Sequence, residues 1–227
     1  MRIAVVSDIH GNLPALEAVV EDLEAQSADE IWCGGDIAWG GPWASECIAK
    51  VRREGWTTVR GNTDVWVTGD PQTVESEEGR SDIERMAAAH SIDPDDAAWL
   101  MTLPVGHSGP GSILLVHGTP ESPFAGPMPD AAPGEFAPYD TGAGVVVYGH
   151  VHRAFVRRLA SGVIVCNTGS VGLPMDGDTA CYLVIDLTGP EMTIRHRRVG
   201  FDRVAAAEGA RRVGDPIAAW FLGALGG

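Results

Sequence analysis

The sequence lacks the features that mark several classes of protein. No stretch approaches about 18 consecutive apolar residues, so no transmembrane helix is expected. The first residues lack the basic, apolar and small-residue regions of a signal peptide, and no C-x-x-C motif occurs. We interpret the scattered cysteines as reduced core thiols of a cytoplasmic protein. They are Cys33, Cys47, Cys166 and Cys181.

Basic residues are also scarce, since 16 Lys and Arg stand against 31 Asp and Glu and give a net charge of −15. This balance argues against a broad basic surface for long nucleic acids. It leaves anionic substrates open, because bound divalent cations would reverse the local field at a site. With 227 residues, of which 44% are hydrophobic, the chain can bury a sizeable core. The sequence contains no heptads or interface stripe, and homo-oligomerisation stays open.

Apolar runs and helical periodicity alternate in the first quarter of the chain. Strands are predicted at 3–6, 30–33 and 56–59, and helices at 13–26 and 42–54. Asn12 is a good N-cap for the first helix, and Pro14 suits its first turn. Strand, helix and strand joined by short links indicate parallel crossover units and an α/β fold.

The pattern changes in the middle of the chain. Residues 65–104 contain no convincing strand and predict helices at 83–90 and 93–103, which we interpret as a helical insertion in a single domain spanning 1–227. Strands return at 112–117 and 145–148 around a long irregular loop, 118–143. Four short strands with hairpin-like spacing follow at 156–159, 163–166, 181–186 and 192–198, and predict an antiparallel portion. Helices are predicted at 204–213 and 216–225.

Metal-type side chains recur where the predicted strands end. They are Asp8, His10, Asp36, Asn62, His117, His150 and His152. Because ligands of open α/β sheets bind outside the carboxyl ends of the strands, these side chains are expected to converge. Seven ligands exceed the needs of one cation and suit a pair that shares a bridging carboxylate. Mixed imidazole and carboxylate ligation favours Mn, Fe, Zn, Ni or Co over Ca or Mg.

The motifs Asp8-x-His10, Gly35-Asp36, Gly61-Asn62, His117 and Gly149-His-x-His152 resemble the ordered signature of the calcineurin-like metallophosphoesterases. The segment Asn167-Thr-Gly-Ser-Val-Gly172 is similar to one in the small bacterial branch of that family, whose members are mainly phosphodiesterases. The resemblance implies a fold of two mixed β-sheets flanked by helices in four layers. It also implies two divalent transition-metal ions, among which manganese is favoured.

The resemblance also implies roles for the ligands. It assigns the first cation to Asp8, His10 and His152, and the second to Asn62, His117 and His150. Asp36 would bridge the two cations together with a hydroxide, which would attack phosphorus in line while both cations absorb the developing charge. The catalytic residues predicted in this way are Asp36, Asn62 and Asp64.

One position departs from the family pattern. The usual tetrad is Gly-Asn-His followed by an acidic residue, and its histidine protonates the leaving group, whereas Thr63 occupies that position here. A threonine hydroxyl cannot act as a general acid near neutral pH. We therefore predict a preference for esters with good leaving groups, or proton delivery through water or another side chain. Asp64 either supports a ligand or caps the next helix.

The sequence indicates the substrate-binding residues less clearly than the metal ligands. Arg60, Asn62 and Arg153 are the candidates for binding the substrate phosphate, although surface arginines are common. His90 and His107 fall outside the ligand pattern and are interpreted as ordinary histidines. Trp39 and Trp66 follow ligand loops, and core packing is favoured for them over a place in the cleft wall.

These patterns predict a cytoplasmic phosphoesterase that acts on small phosphate esters, most of all a phosphodiesterase. The first alternative is a phosphomonoesterase or nucleotide pyrophosphatase of the same superfamily. It would differ only in which substrates the 118–143 loop and the 65–104 insertion allow into the site. A catalytically silent metal-binding scaffold is an alternative of another class. A nuclease is a third, and the acidic surface argues against it for long polynucleotides.

Overall fold

A computed structural model describes residues 1–188 and 191–226 of the chain. Within these ranges it contains ten strands and seven α-helices. The strands are β1 Arg2–Val6, β2 Glu30–Cys33, β3 Thr57–Thr58, β4 Gly106–Gly109, β5 Ile113–Val116, β6 Val145–Tyr148, β7 Phe155–Arg158, β8 Ile164–Asn167, β9 Ala180–Asp186 and β10 Thr193–Val199. The helices are α1 Leu13–Gln26, α2 Ala44–Glu54, α3 Asn62–Trp66, α4 Glu77–His90, α5 Pro94–Thr102, α6 Arg203–Val213 and α7 Ile217–Leu225.

The first sheet has the strand order β10-β9-β1-β2-β3. Strands β1, β2 and β3 are parallel, with Val6 opposite Cys33 and Cys33 opposite Thr58. Strand β9 pairs antiparallel with both β1 and β10. The predicted crossover units are therefore present, and the carboxyl ends of three neighbouring strands lie at the same edge.

The second sheet has the order β4-β5-β6-β8-β7, in which β5, β6 and β8 are parallel. Strand β7 pairs antiparallel with β8, and β4 pairs antiparallel with β5. The four strands predicted as one antiparallel portion are thus divided between the sheets, because the chain crosses from β8 in one sheet to β9 in the other. Spacing along the sequence identifies the hairpin neighbours but not the sheet to which each belongs.

Strand β1 is buried on both faces, which explains its continuous apolar sequence. Ile3 and Val5 belong to the core cluster between the sheets, where they join Leu115 and Val147 of the second sheet. Ala4 and Val6 belong to the cluster formed with α1 and α2. Helices therefore cover the outer face of the first sheet.

The outer face of the second sheet is covered by the 118–143 segment. Its 3₁₀ helix, Pro133–Tyr139, contributes the fully buried rings of Phe136 and Tyr139 to a cluster with Val146 and Tyr148. The resulting layers are helices, sheet, sheet and this covering segment. The predicted fold of two mixed β-sheets in an α/β chain is confirmed.

Some local predictions differ from the structure. Helix α4 begins at Glu77, six positions before the predicted start, because Ser76 Oγ accepts a hydrogen bond from Gly79 N at 3.2 Å and caps it. Strand β4 was not predicted, since Gly106–Gly109 contains glycine, histidine and serine without an apolar pattern. Pairing with the neighbouring β5 determines its conformation, and such tertiary context overrides weak local propensity.

The predicted insertion, 65–104, contains the end of α3 and all of α4 and α5. Its assignment as an insertion in a single domain stays a prediction. Within the described residues, no helix combines the length and the apolar character needed to cross a membrane. All four cysteines are buried and free, and burial raises the pKa of the Cys166 and Cys181 thiols to about 12.

Candidate metal centre

The structure brings the seven predicted ligands together at the carboxyl ends of β1, β2, β5 and β6 and the start of α3. Backbone hydrogen bonds tie the ligand loops to one another. Asp8 N donates to Gly35 O at 3.0 Å and His10 N donates to Asp36 O at 2.9 Å. The loops after β1 and β2 are consequently held as one unit rather than as separate flexible connections.

Five of the seven side chains sit on residues in the left-handed backbone region. Their φ angles are 57° at Asp8, 50° at His10, 55° at Asp36, 65° at His150 and 56° at His152. Such a conformation costs about 1–3 kcal/mol at a non-glycine residue, and it persists only where the surrounding structure enforces it. Residues of this kind cluster at functional sites, which supports a functional role for this one.

Glycines allow the ligand loops to approach one another closely. A Cβ atom on Gly61 would lie 2.1 Å from Asp36 Oδ1, and a Cβ on Gly35, whose φ is 90°, would lie 2.4 Å from Gly61 N. A Cβ on Gly149 would lie 2.4 Å from Asp8 Oδ2 and 2.2 Å from Ser7 Oγ. Glycine is therefore required before three of the candidate ligands because another loop occupies the space of a side chain.

Gly149→Ala is expected to destabilise the protein by about 1–3 kcal/mol, since the new methyl group overpacks a buried contact. It should also weaken metal uptake, because Asp8 would have to move. Thermal melting and metal titration would measure the two effects. Gly134→Ala is the matched control, because no atom lies within 4 Å of a Cβ at that position. An unchanged melting temperature for Gly149→Ala would contradict this account of the loop contact.

Three histidines have their ring orientation fixed by backbone carbonyl groups. Nδ1 of His10 lies 2.8 Å from Trp39 O, Nδ1 of His117 lies 2.7 Å from Gly34 O, and Nδ1 of His152 lies 2.8 Å from Leu173 O. A carbonyl oxygen only accepts, so each Nδ1 must carry the proton and donate. In the neutral ring each Nε2 then presents a lone pair to the centre of the site. This arrangement is the usual support of a metal-binding histidine.

One group of candidate ligands consists of Asp8, His10 and His152. His10 Nε2 and His152 Nε2 lie 3.1 Å apart, and His152 Nε2 lies 3.3 Å from Asp8 Oδ1. Two lone pairs facing each other at that distance repel unless a proton or a metal cation lies between them. The second group found by geometry consists of Asp8, Asp36 and His117.

Asp36 lies between the two sides of the site. Its Oδ2 is 3.6 Å from His10 Nε2 and 3.4 Å from His117 Nε2. On the far side of Asp36, Asn62 Oδ1 lies 3.0 Å from His117 Nε2 and 3.0 Å from His150 Nδ1. His150 thus faces the site through Nδ1, whereas the other three histidines face it through Nε2.

The buried charges strongly perturb one another. Burial lowers the pKa of His117, but the Asp36 and Asp8 carboxylates outweigh this effect and raise it to about 10. Burial and the neighbouring His152 lower the pKa of His10 to about 4. Burial would raise the pKa of Asp36, yet the adjacent His117 and His10 hold it well below its usual range. Asp36 is therefore an anion that already attracts positive charge.

Asp64 supports the Asp36 loop and the start of α3 together. Its fully buried carboxylate accepts hydrogen bonds from Asp36 N at 2.9 Å, Ile37 N at 2.9 Å and Gly61 N at 2.8 Å. Burial and the charge of Asp36 raise the pKa of Asp64 to about 6. The Asp64 side chain thus supports the loop of Asp36 and caps α3, the helix in which it lies, rather than the helix that follows. A direct part in catalysis stays a prediction.

The two predicted substrate-binding arginines occupy different environments. Arg60 donates from Nη1 to Met101 O at 2.8 Å, which directs its guanidinium toward the end of α5. Arg153 is exposed and directly follows His152. Their roles, and that of Asn62 in binding substrate, stay predictions.

Several residues that support the site were not identified from the sequence. Ser170 Oγ donates to Asp8 O at 2.8 Å, and His90 Nε2 accepts from Gly40 N at 2.9 Å in the loop that follows Asp36. Trp220, on α7, packs its ring 5.8 Å from that of His10. No sequence signal connects a tryptophan near the end of the chain with a ligand near its beginning.

The donor set fits divalent transition-metal cations. Imidazole nitrogens, two carboxylates and an amide oxygen converge in a buried space, and the outward ring nitrogens of His10, His117 and His152 are held by carbonyl groups. The fold and the site together define a class of α/β proteins with two stacked mixed sheets and a candidate metal centre at the strand ends.

Comparisons with known proteins identify the family within that class. The calcineurin-like phosphoesterase superfamily domain matches residues 1–189, and the chain belongs to that family. Members of the family depend on divalent metals.

Relatives come from archaea and bacteria. The chain is 28% identical over 204 residues to the uncharacterized protein MJ0912 of Methanocaldococcus jannaschii, covering 81% of this chain and 82% of that protein. A metallophosphoesterase from Sphaerobacter thermophilus is similar in structure, with a TM-score of 0.76 and 27% identity over 99% of this chain and 100% of that one. Hypothetical protein PH1004 from Pyrococcus horikoshii OT3 has the same fold, with a TM-score of 0.78 and 18% identity over 96% of each chain.

Proposed function

We propose that this protein is a dinuclear-metal phosphoesterase with a preference for phosphodiesters, or for phosphate esters with good leaving groups. The observation that carries the proposal is the set of histidine nitrogens and carboxylates around Asp36. Carbonyl groups hold three rings so that Nε2 faces inward, and His10 Nε2 and His152 Nε2 lie 3.1 Å apart. Imidazole nitrogens, two carboxylates and an amide oxygen directed at one space form a ligand set that suits divalent transition-metal cations.

In this proposal Asp8, His10 and His152 would hold one cation, and Asn62, His117 and His150 would hold the other. Asp36 would be shared by the two, since its carboxylate faces both His10 and His117. Two bound cations would activate water as a nucleophile and neutralise charge on the phosphate in the transition state. Manganese is the cation proposed for the site, and the cytoplasm is the proposed compartment.

The chain itself contributes orientation and selectivity. Thr63 N donates to Asp36 Oδ1 at 2.9 Å and so fixes the carboxylate that the two cations would share. The side chain of Thr63 offers no proton to a departing alkoxide near neutral pH. An ester whose leaving group is a stable anion needs no such proton. This is the physical reason for the proposed preference for good leaving groups.

Activity on a bis-aryl phosphate diester against the corresponding aryl monoester would test the proposal. The protein would be stripped of metal and then reloaded with Mn²⁺, Ni²⁺ or Zn²⁺. We expect turnover only in the reloaded protein, with a larger kcat/KM for the diester. A larger value for the monoester would indicate a phosphomonoesterase instead. Binding of two metal equivalents without turnover of either ester would indicate the silent scaffold.

Thr63→His is expected to raise kcat on esters with poor leaving groups by about tenfold, because a general acid contributes about 10²–10⁴-fold when it is well placed. Esters of nitrophenol should gain little, since their leaving group needs no proton. The measurement is the slope of log kcat against leaving-group pKa, which should become shallower. Thr63→Ala is the control and should leave that slope unchanged. An equal gain on both kinds of ester would contradict the missing-acid explanation.

A further inference from the structure

A cavity of about 540 Å³ opens beside the candidate metal centre. Its walls come from the loop after β2, from α3 and α4, and from α7. The residues that line it include Trp39, Thr63, Trp66, Ile83, Met86 and Trp220. The volume falls within the range of pockets that bind small molecules, about 300–1,000 Å³.

The cavity shares a wall with the candidate metal ligands. Thr63 N donates to Asp36 Oδ1 at 2.9 Å, and Trp39 O accepts from His10 Nδ1 at 2.8 Å. The Trp220 ring lies 5.8 Å from the His10 ring. The cavity is therefore adjacent to the candidate metal centre, at the distance of an ester group from a phosphate held there.

Three tryptophan rings make up much of the cavity wall. The rings of Trp39 and Trp66 lie 5.8 Å apart at 65°, and Trp220 contributes a third ring from α7. Trp220 lies outside residues 1–189, which the family domain matches. Its ring occupies the space of a side chain at Gly40, where a Cβ would lie 1.9 Å from the ring. Flat aromatic ligands stack on walls of this kind.

Two polar features narrow the choice of ligand. Within the described residues, Thr63 Oγ1 is buried and has no hydrogen-bond partner, and Thr63 is one of the residues that line the cavity. A buried hydroxyl without a partner is unfavourable, and a polar atom on a ligand would satisfy it. The charged lining residues Asp82 and Arg85 pair with each other at 2.9 Å. The cavity therefore suits a neutral ring with a polar edge rather than a second phosphate.

We propose that this cavity binds a flat, uncharged aromatic ring carried by one ester group of the substrate, either a nucleobase or an aryl group. The inference rests on the proposed phosphoesterase function and specifies its substrate class. Trp39, Trp66 and Trp220 provide the stacking surfaces, and Thr63 Oγ1 contacts the polar edge of the ring. Met86 and Ile83 close the cavity from α4.

Binding of phosphonates, which have no ester bond to cleave, would test the inference without relying on turnover. Calorimetric titration of the manganese-loaded protein would compare methylphosphonate, phenylphosphonate and an adenine-bearing alkylphosphonate. We expect at least one of the two ring compounds to bind about tenfold more tightly than methylphosphonate. The tighter of the two identifies the source of the ring, a nucleobase or a simple aryl group.

Two substitutions would test whether the tighter binding of the ring compounds depends on the cavity. Met86→Trp fills it, and Trp220→Leu removes one stacking surface, so both should reduce the affinity ratio of ring compound to methylphosphonate toward one. The matched controls are Met101→Trp and Trp99→Leu on α5, because neither residue lines the cavity, and both should keep the ratio. Circular-dichroism melting would establish that each variant is folded.

The outcomes separate the two proposals. Metal-dependent turnover of esters together with a ratio near one in the unsubstituted protein would overturn the cavity assignment alone. The cavity assignment would also be overturned if the affinity ratio of ring compound to methylphosphonate stayed unchanged in both Met86→Trp and Trp220→Leu while each variant was folded. Failure of all three phosphonates to bind the metal-loaded protein, together with no turnover of either ester, would overturn the proposed function and the cavity assignment with it.

Discussion

Asp36→Asn is expected to lower metal-dependent kcat/KM by about 10³-fold or more, because a bridging carboxylate supports charge stabilisation worth several kcal/mol. Asp36 Oδ2 lies 3.6 Å from His10 Nε2 and 3.4 Å from His117 Nε2, so it faces both halves of the candidate site. Asparagine keeps the shape of the side chain and can still accept from Thr63 N, which donates to Oδ1 at 2.9 Å. The loss should therefore reflect the missing charge rather than a collapsed loop.

Kinetics and metal content should be measured on the same sample of Asp36→Asn. We expect fewer than two tightly bound metal equivalents together with the loss of rate. Asp178→Asn is a suitable control, because it removes one carboxylate from an exposed position on the same acidic chain. Full activity of Asp36→Asn with two bound equivalents would show that the bridging role belongs to another group.

The fold was predictable where the sequence carries a repeated physical signal. Strand β1 is buried between the second sheet and α1, and its unbroken apolar run indicates such a strand directly. Helix α1 begins after Asn12, whose Oδ1 accepts from Ala15 N at 3.3 Å, as its capping residue predicts. Strand β4 carried no such signal, because its pairing with β5 defines it, whereas Ser76 is a readable cap for the first turn of α4 that the apolar periodicity did not reach.

The candidate ligands were predictable for a related reason. Parallel strands bring their carboxyl ends to one edge, so polar residues placed after apolar runs are expected to meet there. The left-handed conformations of Asp8, Asp36 and His150 were not predictable, because side-chain periodicity contains no information on φ. The close approach of Gly149 to Asp8 depends on two loops far apart in sequence, and it appears only in the folded chain.

The cavity beside the site was the least predictable feature. Trp39 and Trp66 follow ligand loops, and core packing was the favoured interpretation for both. The structure packs Trp39 in the core cluster of α1 and α2 and Trp66 against it, and both also form a cavity wall with Trp220 of α7. Trp39 remains almost fully buried, so burial alone does not distinguish a core residue from one that lines an internal surface. The distinction requires the contacts between α4 and α7, which close the far side.

Asp64→Asn is expected to lower metal affinity by about 10–100-fold, the range found when groups that orient metal ligands are lost. The Asp64 carboxylate accepts from Asp36 N, Ile37 N and Gly61 N, all within 2.9 Å. An asparagine has one acceptor oxygen, so its amide group must face at least one of these buried N–H donors. The unsatisfied donor should destabilise the protein by about 1–3 kcal/mol.

A second substitution separates the two roles of Asp64. Asp93→Asn also changes a carboxylate that accepts a backbone N–H at a helix start, from Asp95 N at 2.8 Å on α5. Asparagine and aspartate are equally good N-caps, so Asp93→Asn should alter neither stability nor metal affinity. If Asp64 acted only as the cap of α3, Asp64→Asn would lose stability and keep its metal affinity. A joint loss, measured by denaturant unfolding and metal titration, would mean that Asp64 holds the Asp36 loop in the conformation that binds metal.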